Sequence, residues 1–92
     1  MRPSDHETIF TALAHATRRQ ILLVLLFRGG SMTAGAIAER FGCSWPTTTR
    51  HLRVLERAGL VRVERSGRER HYVLRRARLL GVADDWLAWF RA

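Results

Sequence analysis

Ser44–Leu60 reads SWPTTTRHLRVLERAGL and carries the start and stop signals of one helix. Ser44 is a suitable N-cap because its hydroxyl can accept a hydrogen bond from a backbone N–H that has no partner in the first turn. Pro46 is tolerated in that turn because first-turn amides are unpaired anyway. Gly59 can take the left-handed conformation that closes a helix. The segment therefore predicts one complete helix.

This predicted helix has two unlike faces. Thr48, Leu52 and Leu55 have helical spacing, so they share the side that packs inward. The opposite side carries Arg50, Arg53 and Arg57, with Pro46, Thr47 and Thr49 at its leading end. The DNA major groove admits a helix, and Arg and Thr can reach base edges and phosphates there. The pattern favours DNA binding, although a charged helix side often only faces water.

Charge and composition point to the same partner. The chain has 92 residues, enough for one domain, and a net charge of +8 from 16 basic and 8 acidic residues. All the basic residues are arginines, and ten of them lie between Arg50 and Arg78 against Glu56, Glu64 and Glu69, a net of +7. Such clustering indicates a nucleic-acid-binding surface. The arginine preference itself has an alternative explanation in a genome rich in G and C.

Cysteine usage and hydropathy predict the compartment. Cys43 is the only cysteine, so no disulfide forms within the chain and a reducing compartment is expected. The N-terminal sequence MRPSDHETIF lacks the apolar segment of a signal peptide, and the apolar run Ile21–Phe27 is too short to cross a bilayer. We expect a cytoplasmic protein without membrane association. A redox-active Cys43 near a helix N-terminus is an alternative to the favoured interpretation, a small buried residue.

Two helices are predicted in the N-terminal part of the chain. The first covers residues 5–14, with its cap at Asp5 or at the residue before it. The second follows a cap at Thr17 and is apolar most of the way round over Ile21–Phe27, so we expect it at the centre of the core. The glycine pair that begins at Gly29 ends it.

A third helix is predicted directly before the segment Ser44–Leu60. It covers Ala34–Phe41, with Thr33 as its cap, and the turn Gly42-Cys43-Ser44 follows it. Two short helices joined by a tight turn with glycine form a helix-turn-helix. In this arrangement the first helix packs across the second and holds it outward.

The periodicity changes from 3.6 to 2 after Gly59. Val61 and Val63 alternate with charged residues, and residues 70–74 alternate again after the turn of residues 65–68. This pattern predicts a two-stranded hairpin with a basic tip formed by Arg65, Arg68 and Arg70. A basic hairpin after a helix-turn-helix is the wing of a winged helix, and it can contact a neighbouring phosphate or the minor groove.

A last helix is predicted over residues 75–91. Its apolar stripe is formed by Leu79, Val82, Ala83, Trp86, Leu87, Trp89 and Phe90. Its large aromatic side chains exceed what a small monomer easily buries, so a two-fold dimer interface is the preferred explanation. The alternative is that these side chains close the core of a single chain.

Short blocks along the chain occur in a characteristic order. They are Phe10–Ala14, Thr17–Leu22, Ala38–Phe41, Arg50–Leu55, Ala58–Val61 and Gly67–Glu69 with Tyr72. Over about Ile9 to Leu74 this order and spacing resembles the ArsR family of bacterial winged-helix repressors. The resemblance implies a dimeric repressor whose first and last helices form the dimer interface. It also implies that the recognition helix turns Thr47, Thr49, Arg50 and His51 toward DNA.

The resemblance does not include the metal-binding motifs of that family. Many members carry a cysteine pair in the third helix, where this chain has Gly35 and Ala36, and others place Asp and His along the last helix. Here that helix has Asp84 and Asp85 but no histidine. We therefore expect no metal and no cofactor. A site between subunits remains an alternative, with ligands drawn from His6, His15, His51 and His71.

Together these observations predict a mainly α fold with a small β-hairpin. The predicted order is α-α-α-α-β-β-α, one winged helix-turn-helix domain over residues 1–92, with the terminal helices 5–14 and 75–91 as dimerisation elements. The predicted DNA-binding residues are Ser44, Pro46, Thr47, Thr49, Arg50, His51, Arg53, Arg57, Arg65, Arg68 and Arg70. The predicted dimer contacts are Ile9, Phe10, Leu79, Val82, Ala83, Trp86, Leu87, Trp89 and Phe90.

The predicted function is that of a DNA-binding transcriptional regulator, a homodimeric repressor of a near-palindromic operator on double-stranded DNA. The sequence does not identify an inducer. It also shows no nucleophile with a base and an orienting partner and no glycine-rich phosphate loop, so we do not expect an enzyme. The alternative function is a winged-helix interaction module that docks a protein through the C-terminal aromatic helix. The basic recognition side favours the regulator, because a docking module does not need it.

Overall fold

The computed structural model describes residues 2–91, which form helices around a small sheet. The helices are α1 (Pro3–Leu13), α2 (Ala16–Phe27), α3 (Ala34–Phe41), α4 (Trp45–Arg57) and α5 (Arg76–Leu87), followed by a 3₁₀ turn over Ala88–Phe90. The strands are β1 (Ser31–Thr33), β2 (Val61–Ser66) and β3 (Glu69–Leu74). This is the predicted winged helix-turn-helix with one additional strand.

The additional strand, β1, makes the sheet three-stranded, with the antiparallel order β1-β3-β2. Tyr72 in β3 lies between Met32 of β1 and Val63 of β2. The sequence prediction of a two-stranded hairpin was therefore incomplete. A strand of three residues is too short for its alternation to be recognised. It pairs because the positive φ of Gly29 and Gly30 turns the chain back toward β3.

The first two helices begin earlier than predicted. Arg2 is the cap of α1, and the Asp5 carboxylate accepts from the Arg2 N–H at 3.0 Å, so Asp5 lies inside the first turn. Helix α2 is capped by His15, not by Thr17, because the His15 Nδ1 accepts from the Thr17 N–H at 3.2 Å. Cap rules rest on hydroxyl, carboxylate and amide oxygens, so they overlook an imidazole in this role.

Arginines at the start of α2 close the preceding helix. The Arg18 guanidinium donates to the carbonyls of Ala12 at 2.7 Å and Thr11 at 3.0 Å. The Arg19 guanidinium donates to the Leu13 carbonyl at 2.7 Å. These carbonyls belong to the last turn of α1, where helical N–H donors run out, although the Thr11 carbonyl also accepts from the Ala14 N–H at 3.3 Å. The Thr17–Leu22 block therefore fastens the corner between α1 and α2.

Helix α4 has the predicted ends. The Ser44 hydroxyl accepts from the Thr47 N–H at 3.3 Å, and Gly59 has a φ of +75° directly after the helix. The N–H groups of Gly59 and Leu60 donate back to the carbonyls of Glu56 at 2.9 Å and Leu55 at 3.0 Å, a Schellman closure. The Leu60 carbonyl in turn accepts from the N–H of Arg75 at 2.9 Å, which connects this junction to the start of α5.

The core lies between α4, the sheet and the inward sides of the other helices. Its buried members are Ile9, Ala12, Ile21, Leu22, Leu25, Ile37, Leu52, Leu55, Ala58, Leu60, Val61, Tyr72 and Val82. The expectation that α2 lies at the centre of the core was wrong. Leu23, Leu26 and Phe27 are exposed, Phe27 by 79%. The chain is too small to place a layer on both sides of α2.

Among the described residues, no single helix has both the length and the apolarity to span a membrane. The adjacent pair Ser4–Leu13 and Ala16–Phe27, bent by 91°, meets those criteria only when its two helices are taken together.

Candidate nucleic-acid interface

The helix-turn-helix holds one side of α4 outward. Thr33 caps α3 by accepting from the Ala36 N–H at 3.1 Å, and Gly42 ends α3 with a φ of +62°. On the inward side of α4, Thr48, Leu52 and Leu55 are buried, as their spacing predicted. With this side fixed in the core, the opposite side of α4 has to face solvent.

The outward side of α4 is cationic. Arg50, Arg53 and Arg57 are exposed and border a shallow groove of about 570 Å³ that runs along the helix. In residues 2–91, the arginines that form ion pairs are Arg62, with Glu64 at 2.8 Å, and Arg78, with Asp5 at 3.1 Å. The α4 guanidinium groups are therefore not neutralised by carboxylates of the described residues.

The polar residues at the start of α4 have mixed environments. Pro46 is exposed, and Thr47 and Thr49 are half-buried. The Ser44 hydroxyl accepts from the Thr47 N–H and donates to the Thr47 hydroxyl at 3.0 Å, so both its hydrogen-bonding roles serve the cap. Ser44 therefore positions the first turn of the helix, whereas the Thr47 hydroxyl keeps its own proton to donate outward.

The predicted wing is present and its basic residues are exposed. Gly67, with a φ of +61°, forms the turn between β2 and β3, next to Arg68. Arg65 and Arg70 are paired directly across the two strands. Like charges at opposed positions of an antiparallel pair destabilise it. An anion bound between them would relieve this repulsion.

The expectation that His51 faces DNA is corrected by the structure. Its side chain is only 8% exposed and its ring centroid lies 4.5 Å from that of His15. Burial lowers the pKa of His51, and electrostatic interactions with His15, Arg18 and Arg50 lower it further. His51 is three residues after Thr48, so helical geometry places it at the edge of the inward side.

Trp45 was missed by the sequence analysis. It is the first residue of α4 and 59% of it is exposed. The wing and the start of α4 enclose a second open cleft of about 450 Å³, whose lining includes Trp45, Thr49, Arg68 and Arg70. The available signal was a large aromatic residue in the first turn of a helix that is otherwise polar on that side.

The terminal helices form a second surface, opposite in character. Helices α1 and α5 are joined by His6 Nε2 to Asp85 at 2.8 Å and by Arg78 to Asp5 at 3.1 Å. Hydrogen bonds from the Arg2 backbone and the Arg78 side chain lower the pKa of Asp5. Phe10 packs edge-on against Trp86 with ring centroids 5.2 Å apart. This packing leaves the outer side of α5 uncovered.

The predicted dimer contacts divide into three groups. Ile9 and Val82 are 0% exposed and belong to the core of the chain, so their assignment to a dimer interface is corrected. Phe10, Leu79 and Ala83 are half-buried. The exposed group consists of Trp86, Leu87, Trp89 and Phe90, together with Leu80, which the sequence analysis did not include. The helix also ends earlier than predicted, at Leu87, and a 3₁₀ turn over Ala88–Phe90 follows.

Metal-ligating residues are scattered over the part of the chain that the structure describes. Within that part, no group of three or more His, Cys, Asp or Glu side chains could hold a metal ion. The histidines lie on separate elements, although the rings of His15 and His51 are adjacent. Cys43 is half-buried, and its Sγ lies 3.7 Å from the Phe41 carbonyl oxygen.

Comparison with known proteins agrees with this geometry. Residues 13–64 match a family described as a helix-turn-helix domain. The chain superposes on the crystal structure of an ArsR family transcriptional regulator with a TM-score of 0.86 and 30% identity, over 99% of this chain and 91% of that one. It is also 38% identical over 81 residues to the transcriptional repressor SdpR of Bacillus subtilis (strain 168), covering 88% of this chain and 83% of that protein.

The chain belongs to the ArsR family of winged helix-turn-helix regulators. The ArsR resemblance and the winged-helix fold predicted from the sequence are thereby confirmed. The ArsR family consists of DNA-binding transcriptional regulators and not of enzymes, so the regulator prediction is confirmed as well. A further ArsR-like neighbour is the homodimeric winged helix-turn-helix domain of a possible regulator from Mycobacterium bovis, with a TM-score of 0.75, 27% identity, and 92% and 78% of the two chains covered.

Proposed function

We propose that this ArsR-family protein is a homodimeric repressor that places α4 of each subunit in the major groove of a near-palindromic operator. The observation that carries the proposal is the outward side of α4, where Arg50, Arg53 and Arg57 stay exposed while the opposite side is fixed in the core. In a two-fold dimer the two α4 helices would enter half-sites about 34–36 Å apart.

The proposed contacts divide by chemistry. Arg50 and the hydroxyls of Thr47 and Thr49 lie toward the start of α4, the part of a recognition helix that contacts base edges. Arg53, Arg57 and Pro46 would lie along the neighbouring backbone. On the wing, Arg65, Arg68 and Arg70 would bind phosphates, and the opposed pair gains most from an anion.

The proposed dimer uses the exposed aromatic surface of the terminal helices. Trp89 is 78% exposed and Phe90 70%, next to the exposed part of Trp86. Contiguous apolar surface of this kind marks an interaction site. The homodimeric relative from Mycobacterium bovis supports a second copy of this chain as the partner. The SdpR relative supports repression as the outcome, and binding to chromosomal DNA would place the protein in the cytoplasm.

The test is fluorescence anisotropy of the full chain on its own upstream DNA and on a scrambled duplex, over a series of salt concentrations. We expect tighter binding to the upstream DNA and a steep loss of affinity with salt, because phosphate contacts release counterions. Arg50→Ala should weaken selective binding by about 1–3 kcal/mol if Arg50 contacts a base. Arg28→Ala removes an exposed arginine on the far end of α2 and serves as the matched control.

Three outcomes would count against the proposal. Affinity that does not change with salt would contradict the electrostatic interface. Equal affinity for both duplexes would leave only a basic surface, and would favour the alternative in which the aromatic surface of α5 docks a different protein. Equal weakening of both duplexes by Arg50→Ala would assign Arg50 to the DNA backbone and not to a base.

A further inference from the structure

Trp45 is a large exposed apolar residue that lies among the arginines of the candidate interface. It follows the N-cap of α4 directly and is 59% exposed. It borders both grooves of the DNA-facing surface, the one toward Arg68 and Arg70 of the wing and the one along Arg50 and Arg53 of α4. A side chain in this position would approach DNA together with the arginines on either side of it.

The inner end of the indole is supported by α3. A Cβ added at Gly35 would lie 3.7 Å from Cη2 of Trp45, so the ring edge lies against the first turn of α3. Trp45 is the first residue of α4, so its backbone is held by the helix that begins at the Ser44 cap. The ring is therefore held at one edge, while more than half of the residue stays in water. The exposed apolar area of this ring can therefore be buried only when another molecule docks on it.

The chemistry of the ring limits what it can recognise on DNA. Indole has a single N–H donor and no acceptor, so it is a poor ligand for phosphate compared with the neighbouring arginines. Each base pair presents donors and acceptors in the major groove, and the apolar group among them is the C5-methyl of thymine. Residues in the first turn of a recognition helix are those that reach base edges.

We infer that Trp45 contacts the C5-methyl group of a thymine in each half-site and so adds an apolar determinant of sequence to the operator. This inference rests on the proposed function, because it requires α4 to lie in the major groove. It goes beyond the proposed function by assigning Trp45 as a specificity-determining residue that recognises a single methyl group on one base.

The experiment removes that methyl group alone. The full chain selects a preferred duplex from a random-sequence library, and each thymine of that duplex is then replaced singly by deoxyuridine. We expect one thymine in each half-site at which the replacement weakens binding by about fourfold, the value of burying one methyl-sized group. Trp45→Ala should bind the thymine and deoxyuridine duplexes equally, and Trp45→Phe should retain part of the discrimination because it keeps an apolar ring.

Controls separate this inference from the proposal beneath it. Phe27→Ala alters an aromatic residue that is exposed by 79% on α2, and it should discriminate the two duplexes as the unaltered protein does. Circular dichroism would verify that all variants are folded. Discrimination that persists in Trp45→Ala, or no sensitive thymine at all, would overturn the role of Trp45 while the proposed function stands. Failure of the unaltered protein to select any duplex would overturn both.

Discussion

Helices α4 and α5 are similar in length, with 13 and 12 residues, yet their outer surfaces have opposite chemistry. Helix α4 buries Leu52 and Leu55 completely and exposes arginines. Helix α5 buries Val82 and leaves Leu80 and other large apolar side chains in water. The core of the chain buries the apolar side chains of α4, so the exposed side of this helix is suited to binding an anion. The same core leaves large apolar side chains of α5 exposed, so the exposed side of α5 is suited to packing against another apolar surface.

The largest effect that tests this comparison is on stability. Leu55→Ala should lower the free energy of unfolding by about 2–5 kcal/mol, because it opens a cavity at a fully buried position. Leu87→Ala, at a position exposed by 40%, should cost much less at low protein concentration. Urea denaturation at two protein concentrations measures both.

If α5 is completed by a second copy, the cost of Leu87→Ala should increase with protein concentration, and the cost of Leu55→Ala should not. If the cost of neither variant changes with protein concentration, the exposed side of α5 does not pack against a second copy of the chain.

The second effect concerns assembly. Trp89→Glu places a charge on the most exposed aromatic position of the C-terminal surface and should weaken self-association by 2 kcal/mol or more, on the order of 30-fold. Phe27→Glu is a matched control, because Phe27 is equally exposed but lies on α2. Sedimentation equilibrium gives both dissociation constants. The comparison fails if Phe27→Glu disrupts the dimer and Trp89→Glu does not.

A smaller effect concerns the wing, where stability and DNA binding should change in opposite directions. Arg70→Thr removes the repulsion with Arg65 and should raise the free energy of unfolding by about 0.2–1 kcal/mol. The same change should reduce the slope of log affinity against log salt by about 1, because one phosphate contact is lost. Arg62→Thr is the control, since Arg62 is already paired with Glu64. An unchanged salt slope in Arg70→Thr would remove Arg70 from the interface.

The smallest effect is a pH dependence of the free energy of unfolding, which arises from His51 on the buried side of α4. The pKa of His51 in the folded chain is lower than its ordinary value of 6.5, so the unfolded chain binds more protons between the two values. The contribution of neutral His51 to the free energy of unfolding should therefore be fully present above pH 6.5, and the free energy of unfolding should decrease as the pH falls below that value. His51→Gln should flatten this decrease in urea titrations between pH 7.5 and about 5. A decrease that is unchanged in His51→Gln would assign it to other groups.

Much of the fold was predictable because strong local signals agree. The cap at Ser44, the apolar spacing of α4 and the closing glycine at Gly59 all define one helix, and the structure has it. Strand β1 was not predictable, because a strand of three residues is specified by the partner it pairs with. The cap of α2 at His15 was missed for a different reason, since it depends on a ring orientation that sequence patterns do not contain.

The interface was predictable in its charge but not in its details. Periodicity shows which residues of a helix face inward, but not whether the covering surface comes from the same chain or from a partner. Ile9 and Val82 were assigned to the dimer for that reason, although the chain buries them itself. His51 was placed by resemblance, whereas its spacing from Thr48 already indicated the inward side. Trp45 was missed because, apart from Pro46, DNA contacts were sought among arginine, histidine and hydroxyl side chains.

The backbone of Leu60 has a consequence for the spacing between the two half-sites that such a dimer would bind. The Leu60 N–H donates to the Leu55 carbonyl in the last turn of α4, and the Leu60 carbonyl accepts from the Arg75 N–H at the start of α5, so one residue connects the two helices. The angle between them is set inside each subunit. In a two-fold dimer formed through α5, the distance between the two α4 helices would then depend on the angle between the subunits. A ligand or substitution that rotates one subunit against the other would change the operator spacing without altering any residue that contacts a base.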